Sequence, residues 1–217
     1  MNGYTGLDPA KVQSQIEEFF SKGMSFCVAL STNTSTYYKI LEKIWCSPNA
    51  VQFSKKIFPE LENCQIDVSN YYWKIAAAAT KAYNTIAAAN GLDTISGVVD
   101  EGAEAHVTDA KYVLKDVSES GIVGMNKEQV KEVTDGFVHY LDTDLITILE
   151  ETPLDIAFYD PDNSLKTEYR NSIIKLIELV KEVINDISSE TSAYVEKEVD
   201  AVELSAKKSV ETLKVTA

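Results

Sequence analysis

The sequence predicts an all-α fold, two long antiparallel helical hairpins packed as an elongated four-helix bundle. Three observations predict it. Apolar residues recur at steps of three and four along most of the chain, the spacing that gathers them on one face of an α-helix. Only five prolines and nine glycines interrupt 217 residues. A turn built from an aromatic, a small polar residue and a proline occurs twice, at Trp45-Cys46-Ser47-Pro48-Asn49-Ala50 and at Phe158-Tyr159-Asp160-Pro161-Asp162-Asn163-Ser164. Either hairpin alone would leave an apolar stripe in water, so burying the two stripes against each other drives the fold.

The first hairpin spans residues 1–91. Asp8 followed by Pro9 is a helix start, cap and then first residue. Val12, Ile16, Phe19, Gly23, Phe26, Cys27, Leu30, Tyr37, Leu41 and Ile44 form one stripe, and the helix is expected to run through the polar stretch 31–36 despite competition from its side chains for backbone bonds. At the elbow, Ser47 can cap the next helix and Pro48 gives up only a donor that has no partner there. Ala50, Phe53, Ile57, Leu61, Cys64, Val68, Tyr71, Ile75, Ala79, Ala82 and Ile86 continue the pattern. Pro59 predicts a kink near residues 57–61, and Asn90-Gly91 is a left-handed C-terminal signal.

Residues 92–124 read as a connector with at most one brief helix, carrying Val107, Ala110, Val113, Leu114 and Val117. The second hairpin covers 125–217. Asn126 with Gln129 forms a capping box; Val130, Val133, Phe137, Leu141, Leu145 and Ile148 are its stripe, and Pro153 marks its end. The last helix carries Leu165, Tyr169, Ile173, Ile177, Val180, Ile184, Ile187, Thr191, Tyr194, Val202, Ala206, Val210 and Leu213, with a charged far end expected to fray.

Composition narrows the function. A formal charge of -14 opposes binding to nucleic acid or to an anionic membrane surface and favours a basic partner. No apolar run approaches the roughly 20 residues of a transmembrane helix, and the first residues lack a Sec signal, which leaves a cytoplasmic protein or export by another route. Three cysteines without metal-site spacing argue against a disulfide scaffold or zinc site. Cys27 and Cys64 are nearly equidistant from the first elbow, so a hairpin sets them level as neighbouring small buried groups, with a disulfide between them as the alternative. His106 and His139 lack an activating cysteine or serine, the paired carboxylates are accounted for by helix ends and solvated faces, and the Glu-x-x-His patterns of di-iron bundles are absent. No catalytic, cofactor-binding or metal-ligating residue is predicted, and the protein is expected not to be an enzyme.

A hairpin of about ninety residues with Trp45 at its elbow, small Ser47 two positions on, and Ala50-x-x-Phe53 opening the second helix resembles the Trp-x-Gly (Esx-type) family exported by type VII secretion systems. Ser47 stands where that family has glycine, and in the second half Tyr159 stands where it has tryptophan. Family members pair as antiparallel four-helix dimers. They reach the export machinery through a Tyr-x-x-x-Asp/Glu element past the last helix of one partner, near the Trp-x-Gly elbow of the other. The resemblance implies that Tyr194 and Glu198 form this signal, although the same spacing also occurs at Tyr4 with Asp8, Tyr38 with Glu42, Tyr112 with Asp116 and Tyr140 with Asp144. It implies a tandem fused pseudo-dimer, monomeric as a chain, that meets a secretion-system ATPase or another protein. The localisation implied is secretion without a Sec signal, with a cytoplasmic stage before export. Two other classes stand beside it: a membrane-active toxin component, suggested by the small residues from Ile75 to Ala89, and an intracellular helical adaptor.

Overall fold

The computed structural model describes residues 8–97, 105–116, 124–125, 127–151 and 164–215, with the backbone alone described at 124–125, 164–166, 169 and 198–215. The chain is mostly helical, as an all-α class requires. Helix α1 is Pro9–Ile44, α2 Pro48–Ala89, α3 Lys127–His139, α4 Ile146–Glu150 and α5 Ser164–Val215; a π-helical turn, Tyr140–Leu145, joins α3 to α4. The second elbow, Asn126 and Pro153 lie outside the described residues.

Local chemistry sets the helix ends. Asp8 Oδ1 accepts the N–H of Ala10 at 3.0 Å and of Lys11 at 3.3 Å, with Pro9 as the first helical residue. Gly91 adopts φ 66°, and the N–H of Leu92 reaches back to the carbonyl of Ala87 at 2.9 Å, closing α2 with the six-residue loop that this conformation permits. Helix α1 runs unbroken through residues 31–36, where Thr36 Oγ1 folds back onto the carbonyl of Thr32. Helix α2 continues through Pro59.

The described chain forms two compact units, each fed by the same long helices. Of the described residues, one comprises 8–31, 62–97, 105–106, 144–151 and 164–183; the other comprises 32–61, 107–116, 124–125, 127–143 and 184–215.

In the first unit the core is built from Val12, Ile16, Phe19, Phe26 and Leu30 of α1 and from Val68, Tyr72, Ala76 and Tyr83 of α2. Val68, Ile75 and Ala79 are buried as the stripe predicts, but at three positions of α2 the sequence reading is one residue out of phase. Tyr71, placed on the stripe, is 37% exposed, and Tyr72 is buried in its place; Ala82 and Ile86 are half-buried while Tyr83 and Ala87 are buried. Gly23 supplies the reason: a Cβ there would lie 2.1 Å from the Tyr72 ring. The ring fills the space the glycine leaves and stacks on Phe19 at 4.7 Å. The connector covers the far end of α2. Asn84 brackets Ile95, its amide donating to the Ile95 carbonyl at 3.0 Å and its oxygen accepting the Ile95 N–H at 2.8 Å, and the Tyr83 hydroxyl donates to the Asp93 carbonyl.

In the second unit the connector residues 107–116 are irregular and form no helix, which the reading of a connector with at most one brief helix allows; Val117 lies outside the described residues. Their backbone bonds go elsewhere. The N–H of Leu114 donates to Ser54 Oγ at 3.0 Å, the Lys115 carbonyl accepts the N–H of Ser47 at 3.1 Å, and Leu114 itself is buried.

The second-half stripe is also corrected. Val130, Thr134, Phe137, Leu141, Leu145 and Leu149 are buried, while Val133 and Ile148 are half-buried. Steps of four from Phe137 onward would wind around an α-helix, whose turn is 3.6 residues. The wider π-helical turn at 140–145 takes up that drift and brings Leu149, not Ile148, inward.

Candidate functional site

The second unit contains the elbow. Trp45 and Cys46 do more than turn: they pair antiparallel with Gly124–Met125, Trp45 opposite Met125 and Cys46 opposite Gly124. This two-residue pairing anchors the elbow to a distant part of the sequence, which periodicity could not show. Ser47 follows as a buried cap, its Oγ accepting the N–H of Ala50 at 3.0 Å and its carbonyl accepting that of Val51 at 3.2 Å. Pro48 is the first residue of α2, as the cap-then-proline pattern requires.

Trp45 is 1% exposed and packs on Phe53, ring centroids 5.0 Å apart. Its Nε1 is buried with no hydrogen-bond partner among the described residues, so the indole contributes through its area and shape. Phe53 in turn meets Tyr194 edge-on at 5.9 Å and Phe58 at 6.1 Å. Three of the four residues singled out from the sequence, Trp45, Ser47 and Tyr194, are thus grouped around the first turns of α2, with Phe53 linking the two rings. The side chain of Glu198 lies outside the described residues; its backbone is on α5, four positions beyond Tyr194.

The electrostatics beside Tyr194 are acidic. Lys56 pairs with Glu190 at 2.6 Å, one turn before Tyr194 on α5. Glu60 is held above the ordinary carboxylate range, first by burial and then by the negative charges of Glu190 and Asp186. Among the described residues no cluster of three or more His, Cys, Asp or Glu side chains could hold a metal ion.

Aromatic packing extends beyond what the sequence singled out. Tyr37 stacks on Phe137 at 4.0 Å and 8° between planes, and Tyr38, Phe58 and Tyr112 form a second cluster with centroids 5.0 to 5.8 Å apart. Tyr37 lay on the expected α1 stripe, but Tyr112 sits in the irregular connector and carries no periodic signal. Burial, with the charge of Asp135 added, pushes the Tyr37 hydroxyl well above its usual range, and the hydroxyl has no partner among the described residues. A groove of about 540 Å³ lies along this stack, walled by α1 and α3.

In the first unit Cys27 and Cys64 are both buried free thiols, as expected of small buried groups. Cys27 Sγ donates to the Gln65 carbonyl at 3.5 Å, and burial pushes both thiols up to about 12. The small-residue face of α2 is occupied: Ala76, Ala79 and Thr80 are buried, and a Cβ at Gly97 would fall 1.7 Å from the Thr80 side chain. No helix among the described residues is long and apolar enough to cross a membrane. Compared with known proteins, the chain matches no family model, no curated protein and no solved structure.

Proposed function

We propose that the protein is a non-catalytic substrate, chaperone or adaptor of a type VII secretion system, built as a single-chain pseudo-dimer of two helical hairpins in a four-helix bundle. One observation carries the reading: Trp45 and Tyr194, about 150 residues apart in sequence, meet the same ring, Phe53. In the Trp-x-Gly family that this sequence resembles, the elbow tryptophan and the tyrosine signal belong to two chains and come together only in the dimer. A fused chain would supply both, the first hairpin the elbow and the second the tyrosine, with Glu198 completing the signal. Tyr194 is half-buried, so one edge is held by Phe53 while another remains open to a partner.

Export tests this directly. The tagged chain is expressed in a Gram-positive host with a type VII system, and culture medium is compared with and without the system's motor ATPase and for Tyr194→Ala and Glu198→Ala. Appearance in the medium that requires both the ATPase and Tyr194, while circular dichroism of the purified variants stays unchanged, is the expected result. Retention in the cell under every condition, with lysis controlled, overturns the reading in favour of an intracellular helical adaptor.

A further inference from the structure

We propose that the groove between α1 and α3 docks a basic, amphipathic helix of a partner protein. This goes beyond the export reading and does not rest on it. Each wall is one helix face about twelve residues long, roughly 17 Å at the α-helical rise, or some three turns. The floor is apolar, the Tyr37 and Phe137 rings stacked at 4.0 Å, and Ile40 on the α1 wall stands 41% exposed. A trough of that length, lined at three- and four-residue steps, fits a helix presenting apolar residues at i, i+3, i+4 and i+7.

Two features choose the occupant. Gly136 lies inside α3, where glycine is unfavourable relative to alanine, yet a Cβ there would meet nothing within 4 Å. The described chain therefore makes no use of the missing side chain, whereas an incoming helix could approach the α3 backbone closely at that notch. Among the described residues Glu132 is the one charged side chain lining the groove, in a protein of net charge -14, so a Lys or Arg on the incoming helix is both attracted at range and paired at contact. The neighbouring acid Asp135 is already paired with Lys131 at 2.5 Å.

A displayed library of 18-residue amphipathic helices, randomised on both faces, is selected against the full-length protein. The expected winners carry apolar residues at i, i+3, i+4 and i+7 and a Lys or Arg. Their affinity should fall at least tenfold for Gly136→Leu, which fills the notch, and for Ile40→Glu, and the preference for basic residues should be lost in Glu132→Lys. Thermal melts of the free variants check folding, and Ile40→Glu keeps the test decisive if Gly136→Leu disturbs α3. Enrichment of acidic or non-helical sequences, no enrichment, or binding unaffected by both groove variants would overturn the proposal. So would a wild-type dimer in sedimentation that Gly136→Leu dissociates, since the groove would then belong to a second copy of this chain.

Discussion

At the scale of single residues, the elbow tryptophan is a packing residue. Trp45 is fully enclosed and its N–H has no partner among the described residues, so its contribution lies in ring volume. Trp45→Ala should destabilise the protein by about 3–5 kcal/mol, as large aromatic truncations in cores do. Trp45→Phe should cost clearly less, about 1–2 kcal/mol, because it deletes an unsatisfied donor along with part of the ring. Urea unfolding of the two variants measures the gap; equal costs would mean that the indole nitrogen has a partner. Export assays should use Trp45→Phe, so that loss of fold is not mistaken for loss of recognition.

The buried thiols give a prediction of opposite character. Their pKa values are raised from 9.0 to about 12, so the fold favours the neutral form. The stability they contribute is complete below about pH 9 and is lost as pH rises toward 12, when the unfolded chain ionises and the folded chain resists. Native protein at pH 8 should therefore label with a thiol reagent at half-exposed Cys46 first, with Cys27 and Cys64 reacting only on unfolding. Replacing both by alanine should flatten the alkaline side of the stability profile.

At the scale of elements, helix starts and stops were the most legible features, because caps are local chemistry. Asp8-Pro9, Ser47-Pro48 and Asn90-Gly91 each act within four residues of themselves, and each is found where the sequence places it. Stripe phase was legible only until a tertiary partner intervened. Nothing local distinguishes Tyr71 from Tyr72; the choice is made by Gly23, about fifty residues earlier. The same pairing predicts that Gly23→Ala is costly although alanine is the better helix former. A methyl 2.1 Å from a ring enclosed on all sides forces α1 or α2 to move, which places the change in the overpacking range of about 1–3 kcal/mol. The double variant Gly23→Ala with Tyr72→Leu should recover part of that loss by urea unfolding, and strict additivity would show that the two sites are not coupled. The pairing of the elbow with Gly124–Met125 and the π-helical turn left no mark in the sequence pattern, one because it is non-local, the other because a step of four is read equally well as helix.

At the scale of the whole molecule, the spatial units cut across the two halves of the sequence. Each unit takes a part of α1, a part of α2 and a part of α5, so neither is encoded by one continuous half of the chain. A chain divided into residues 1–116 and 125–217 therefore gives two fragments that each lack part of both cores. The first fragment would expose the buried stripes of α1 and α2, including Phe19, Tyr37, Phe53 and Tyr72, to water; the second would expose Phe137, Leu141, Ile184 and Ile187. Expressed alone, each fragment should self-associate or show reduced helicity by circular dichroism. Mixed at equal concentration, they should recover helicity and elute together on gel filtration, since the groups that complete each core are then restored. Two fragments that fold as independent monomers and stay apart on mixing would show that each hairpin buries its own stripe, and the single-chain pseudo-dimer would lose its physical basis.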